Sequence, residues 1–227
     1  MFNEHNSTIL NPVGSPLVLP PDKKPGTGRG MDLPIVYFDD FLSEGTGAWV
    51  ETLGGSSTID SIQTGVGGEL HFDIAGNDTV GMQLRNAGFT CSAGKNAVFE
   101  ARFRPEDADK TDMICGLATI DTSILAGVTD IIGFKVADGS TSTKIACVSG
   151  DQTTTTGVDI ADATNVVVRA EVTGITSVAF YINGNLVATH TAGTPVPTGA
   201  MTPSFEHTGD GAGDDLYLDY IYAALER

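Results

Sequence analysis

Residues 177–191, SVAFYINGNLVATHT, read as two antiparallel strands joined at Asn183-Gly184. Asn-Gly supplies the two positive-φ residues of a type I′ turn, whose twist matches that of the strands it joins. Val178, Phe180 and Ile182 alternate with Ala179 and Tyr181, the period of a half-buried antiparallel strand. Leu186 to His190 form the return strand. Whether Leu186 or Val187 joins the Phe180 face depends on a two- or three-residue turn, and the sequence leaves both open.

Outward from this hairpin the same texture continues. Short apolar or alternating segments occur at 35–41, 49–53, 69–74, 80–85, 97–104, 114–120, 131–137, 144–150, 166–172, 202–207 and 216–223. Gly54-Gly55, Gly65 to Gly68, Asp138-Gly139, Gly199 and the 210–215 loop punctuate them. About a dozen short strands with turn signals every ~8–12 residues predict an all-β, two-sheet antiparallel sandwich. A turn or so at 105–110 is the one helical candidate. Ala97, Phe99, Ala101 and Phe103 are expected on one face, with Val98, Glu100 and Arg102 opposite. Strict alternation in the last segment sets Leu216, Leu218, Tyr220 and Tyr222 against Tyr217, Asp219, Ile221 and Ala223. That segment is apolar on both faces, as a central strand would be. No repeat at a solenoid or propeller period is visible.

Residues 1–34 are different in kind. They hold six of the ten prolines, so they form neither helix nor interior strand and read as an extended Pro-rich N-terminal arm to a sandwich body at 35–227. Ile9-Leu10 and Leu17-Val18-Leu19 are aliphatic anchors within it, and Lys23, Lys24 and Arg29 are its basic residues. Three acidic residues, Glu4, Asp22 and Asp32, balance those three, so the whole net charge of −17 belongs to 35–227. Such a body repels phosphate backbones and has no basic stripe, which argues against nucleic-acid binding. No apolar run approaches the ~20 residues of a membrane-spanning helix. The opening MFNEHNSTIL lacks a basic and apolar leader pattern, so synthesis in a cytosol is expected.

Chemistry-bearing residues are sparse. Cys91, Cys115 and Cys147 are odd in number and without CxxC spacing; the last two sit in apolar strand-like runs and are expected as buried, reduced thiols. His5, His71, His190 and His207 are scattered without metal-ligand spacing, and the latter two are expected on strands at the sheet surface or satisfied beneath loops. No catalytic metal or other cofactor is implied. Oxygen ligands for calcium cluster at Asp73, Asn77 and Asp78 and at Asp210, Asp214 and Asp215, in runs that also suit Asx and Gly turns. Trp49, Tyr181 and Tyr217, with Tyr220 and Tyr222, are either core or a sugar-stacking platform. Thr153 to Thr156 read as an exposed loop or strand end, with a contact surface as one reading.

FDDF at 38–41 followed by Trp49, the YINGNLVA hairpin at 181–188, and DDLYLDYIYA at 214–223 together resemble the concanavalin A-like jelly roll of the laminin G and glucanase type. The resemblance spans roughly 36–224 and implies that the first and last strands pair near each other. Glucanases of this fold carry Glu-x-Asp-x-x-Glu on one strand, which is absent here; Glu100 and Glu171 are isolated strand carboxylates. No serine stands in a nucleophile elbow. Such domains are also similar to those of bacteriophage capsid decoration and fibre proteins, often behind a linear arm. The expectation is a non-enzymatic virion structural protein on the outer capsid surface, partnered by the major capsid protein and neighbouring copies of itself. The alternative is a carbohydrate-binding module or receptor-binding fibre head with a glycan ligand.

Overall fold

The computed structural model describes residues 35–41, 48–62, 68–86, 88–136, 142–191, 193–211 and 214–227. The expected arm, with Ile9, Leu10, Leu17, Val18, Leu19, Lys23, Lys24 and Arg29, lies outside the described residues. In chain order the first strands are β1 (Ile35–Asp39), β2 (Trp49–Leu53), β3 (Thr58–Ile62), β4 (Glu69–Asp73), β5 (Thr79–Leu84), β6 (Asn96–Pro105) and β7 (Asp112–Ala118). A four-residue helix, α1 (Ile124–Gly127), precedes β8 (Ile131–Val136), β9 (Lys144–Ser149), β10 (Gln152–Asp159) and β11 (Val166–Thr173). The hairpin strands β12 (Ser177–Ile182) and β13 (Asn185–His190) follow, then β14 (Thr202–Thr208) and β15 (Leu216–Leu225).

Two antiparallel sheets result. One runs β13-β12-β11-β6-β15-β4-β3, with β1 also paired to β15; the other runs β10-β9-β8-β7-β14-β5-β2. The first and last strands are neighbours, Phe38 opposite Tyr222. Side chains of alternating parity meet between the sheets, the packing that makes a sandwich core. Phe72 of β4 packs on Phe205 of β14 at 5.1 Å, and Phe134 of β8 meets Phe180 of β12 edge-on at 5.4 Å. Ala97, Phe99, Ala101 and Phe103 all belong to this core, as their spacing predicts.

The hairpin turns at Asn183-Gly184 with φ of 49° and 79°, the two positive values the dipeptide predicts. Tyr181 pairs with Leu186 and Phe180 with Ala188, so the turn has two residues and Val187 is the extra residue of a bulge. Leu186 therefore shares the outward face with Tyr181 and is 59% exposed, whereas Val187 packs against the core.

In β15 strict alternation fails. The register with β6 shifts between Leu218 and Tyr220, which leaves Asp219 as a bulge. Leu216 and Leu218 face the core before it; Ile221, Ala223 and Leu225 face the core after it, and Tyr220 and Tyr222 point outward. The bulge lies where β15 changes partner, from β4 at Leu216 to Leu218 to β1 at Ile221 to Leu225. The sequence reading has no strand at β3, and Thr153 to Thr156, read as an exposed loop or strand end, lie within the full strand β10. At 105–110 there is a turn closed by Lys110 N–H donating to the Asp107 carbonyl, and α1 is the helix among the described residues. All three cysteines are buried free thiols.

Candidate functional site

The outward face of the seven-stranded sheet carries a cleft of about 930 Å³. Strand register builds its floor. One row of neighbours crosses the sheet as Glu206, Ile114, Lys135, Ala146 and Thr155; the next runs Ser204, Gly116, Gly133, Val148 and Thr153. The inward residues between them, Cys115, Phe134 and Cys147, belong to the core. Gly116 and Gly133 stand directly opposite each other with no side chain, and Ala146, which lines the cleft, is small. Ile114, Ile131 and Val148 make the floor aliphatic, joined by Ile124, Leu125 and Val128 from α1 and its flank.

The α1 wall is pinned from beneath. The buried Glu206 carboxylate accepts hydrogen bonds from the Ile124 and Leu125 N–H groups, both at 2.8 Å. These are the free donors of the first helical turn, so a carboxylate from another strand completes the helix. Gln83 fixes the same connection: its amide donates to the Thr119 carbonyl at 3.1 Å and its oxygen accepts from Asp121 N–H at 2.8 Å. The opposite rim carries Thr153, Thr155, Thr194, Asp151 and Pro197. Lys135 donates to the Leu125 carbonyl and Lys144 pairs with Asp159 at 3.1 Å, so both cleft lysines are engaged. Asp130 and Asp151 are the lining carboxylates, and no aromatic ring is found among the described residues that line the cleft.

The sequence's own candidates fall elsewhere. Trp49 is 3% exposed in the core, its indole N–H donating to Asp39 at 2.9 Å, so it offers no face to a sugar. Tyr217 stacks on His71 at 4.7 Å and carries the Arg104 guanidinium 3.7 Å from its ring centroid, which occupies the ring from both neighbouring strands. Tyr181 is half-exposed beside Leu186 on the outward face of the eight-stranded sheet. The three aromatics thus form no common platform.

The two calcium candidate runs do meet in space. Asn77 donates to Asp210 at 3.4 Å, and Gly209 N–H donates to the Asp78 carbonyl at 3.2 Å. Their side-chain oxygens act as turn acceptors: Asp78 takes the Ser57 hydroxyl, Asp214 the Thr111 hydroxyl and Asp210 N–H, and Asp215 the Ile74 N–H. Asp73 is exposed on β4. Burial pushes the Asp214 carboxyl up, against the pull of neighbouring His207. Among the described residues no group of three acidic, histidine or cysteine side chains converges as a metal cage. His190 and His207 are buried rather than at the sheet surface, each with both ring nitrogens hydrogen-bonded.

Glu100 and Glu171 are not isolated. Arg169 donates to Glu171 at 2.8 Å and to Glu100 at 3.1 Å, while the Tyr220 hydroxyl donates to Glu100 at 2.8 Å. Glu100 is fully buried in this network, so it is closed to a substrate. Glu171 stands two residues after Arg169 on β11, whereas Glu100 is distant in sequence from both Arg169 and Tyr220 and meets them through the β6–β11 and β6–β15 registers.

No protein-family model matches the chain, and no curated protein matches it in sequence. Solved structures match it in fold. The carbohydrate-recognition domain of Emp47p superposes with a TM-score of 0.61 at 11% identity, covering 85% of this chain and 94% of that one. The endo-1,3-β-glucanase of Streptomyces sioyaensis gives 0.57 at 12% identity, with 88% and 99% covered. The fold is the concanavalin A-like jelly roll. A carbohydrate esterase of the Shiga toxin-encoding bacteriophage phi24B is also similar, at a TM-score of 0.51 and 15% identity, with 84% and 100% covered. Concanavalin A-like neighbours therefore include binding domains and enzymes, and the jelly roll alone does not select between them.

Proposed function

We propose that this chain is a non-enzymatic structural protein of a virus particle, a decoration or cement protein fixed to the outer face of a bacteriophage capsid through residues 1–34. The observation that carries this reading is the division of the chain. A proline-rich segment of balanced charge with aliphatic anchors is joined to a jelly-roll body that holds the entire net charge of −17. The body presents an acidic surface to which the basic residues of a neighbour's segment are attracted. Repeated contacts around a symmetric shell turn modest single affinities into firm attachment. Support for a non-catalytic role comes from the carboxylates. Glu206 is committed to α1 and Glu100 to Arg169 and Tyr220, leaving Asp130 and Asp151 on the rim of the cleft.

Mass spectrometry of purified particles tests the location, and sedimentation of the chain with shells assembled without it tests the attachment. Full-length protein is expected to sediment with shells, and a Leu17→Asp/Leu19→Asp variant is expected to remain in the supernatant. A chain absent from the particle would end this reading.

A second reading is favoured by the hydroxyl-rich rim of the cleft, Thr129, Ser142, Thr153, Thr155 and Thr194, on a fold shared with carbohydrate-recognition domains. On that reading the cleft takes a glycan through hydroxyl contacts, and a glycan array with the full-length protein returns a defined hit that the Leu17→Asp/Leu19→Asp variant retains.

A further inference from the structure

We propose that the cleft on the seven-stranded sheet receives the Leu17-Val18-Leu19 stretch of a neighbouring copy, with Lys23 and Lys24 of that stretch reaching Asp130 and Asp151. The inference rests on the reading of residues 1–34 as an attachment arm and names where one copy holds the next.

The cleft offers an extended peptide an aliphatic side, in which Leu125 and Val128 are half-buried over the nearly covered Ile114, Ile124, Ile131 and Val148, beside an exposed rim of hydroxyls and carboxylates. Its floor is Ile114, Ile131 and Val148, one wall is Ile124, Leu125 and Val128, and no aromatic ring lines it among the described residues. Its size, about 930 Å³, lies at the upper end of the range for ligand pockets, ~300–1,000 Å³. Pro16, Pro20 and Pro21 bracket the Leu-Val-Leu triplet in the sequence, and a proline biases the residue before it, here Leu19, toward extended geometry, which reduces the ordering entropy lost on docking. An extended backbone leaves its N–H and C=O groups unpaired, and the rim hydroxyls of Thr153, Thr155 and Thr194 both donate and accept.

Charge sets the direction. The two cleft lysines are held by the Leu125 carbonyl and by Asp159. Asp130 and Asp151 are exposed on the rim, and among the described residues neither carboxylate has a hydrogen-bond or ion-pair partner. Lys23 and Lys24 follow the triplet by four and five residues, which carries them from the aliphatic floor to the rim.

Reach and topology favour exchange between copies. Leu19 stands sixteen residues before Ile35, a span of up to about 50 Å when extended. Ile35 opens β1 in the eight-stranded sheet, whereas the cleft opens on the far face of the other sheet. Folding back would use that reach to wind around the sandwich, while passing to a neighbour uses it to link the particle.

The test places p-benzoylphenylalanine at Val18 of the full-length chain, mixes nitrogen-14 and nitrogen-15 copies, irradiates, and reads crosslinked peptides by mass spectrometry. Mixed-isotope pairs joining Val18 to peptides carrying Leu125, Ile131 or Val148 are expected. Asp130→Lys/Asp151→Lys, which changes two exposed rim residues, is expected to lower their yield about tenfold, the effect of losing roughly one decade of affinity. Ala146→Arg, confirmed folded by circular dichroism, is expected to abolish them. Same-isotope pairs alone, crosslinks to another surface, or none at all would each overturn the inference. Particle content read by mass spectrometry does not depend on these crosslinks, so the location of the chain on the particle stands or falls separately.

Discussion

His190 of β13 and Ser149 of β9 belong to different sheets, yet the imidazole Nδ1 lies 2.7 Å from the serine hydroxyl. Nε2 meets the Thr154 hydroxyl of β10 at 3.0 Å, and the ring packs edge-on against Phe180 at 4.9 Å. One side chain thus joins the edges of both sheets through a buried polar contact. Burial lowers the His190 pKa below its ordinary value, so the folded state holds a neutral ring. The unfolded chain binds that proton more readily, hence this contribution to stability is complete above about pH 6.5 and declines as pH falls below it. Thermal unfolding of wild type and His190→Asn at pH 7.5 and at pH 5.5 measures it. The wild type is expected to lose more stability on acidification than the variant; equal losses would refute the account. His190→Ala, which leaves the buried Ser149 hydroxyl without its imidazole partner, is expected to cost about 1–3 kcal/mol at pH 7.5.

Glu206 is expected to control the α1 wall of the cleft. It accepts both N–H groups of the first helical turn while itself buried at 2% exposure. Glu206→Ala leaves those donors without an acceptor, a loss of about 1–3 kcal/mol. Hydrogen exchange at Ile124 and Leu125 should accelerate first, with the exchange of β7 and β8 changed much less. Exchange at those two amides unchanged from wild type would mean that the wall stands without its carboxylate.

Much of the sandwich is legible in the sequence because its signals are local. Asn183-Gly184 fixes a turn on its own, and the Ala97 to Phe103 alternation needs no partner to be read. What fails is information supplied by neighbours. The phase of β15 inverts at Asp219, a bulge placed where two different strands, β4 and β1, succeed each other along one side. β3 and β10 lie at sheet edges, where TIDSI and QTTTTGVD need no apolar run to pair. The cleft is lined by residues of four different strands, Ile114, Lys135, Ala146 and Thr155 among them, and only the register aligns those positions. Glu206 within TPSFEHT likewise looks like an ordinary outward carboxylate until α1 is brought over it.

The cysteines are expected to be silent in the native protein. Burial pushes the Cys91 thiol up to about 11 and Cys147 to about 12, and raises the wholly enclosed Cys115 as well. Thiolate is the reactive form, so almost none is present at pH 8. Ellman's reagent should therefore titrate no thiol in buffer at that pH and all three of the chain's cysteines in denaturant. A thiol that reacts promptly without denaturant would show local opening of the strand that carries it.

The close approach of β7 and β8 depends on the facing glycines. An added Cβ on Gly116 would lie 2.7 Å from the Cα of Gly133, and one on Gly133 would lie 2.8 Å from the Cα of Gly116. Both contacts are to backbone, so no side chain can turn aside and the strands themselves must separate. Gly116→Ala or Gly133→Ala is expected to destabilise the fold by about 1–3 kcal/mol, the usual cost of overpacking. Gly157, with nothing near its added Cβ, is the control position, and Gly157→Ala should leave the midpoint of denaturant unfolding nearly unchanged. If Gly116→Ala tolerates denaturant as well as Gly157→Ala does, β7 and β8 do not approach each other as closely at this pair as the added-Cβ contacts require.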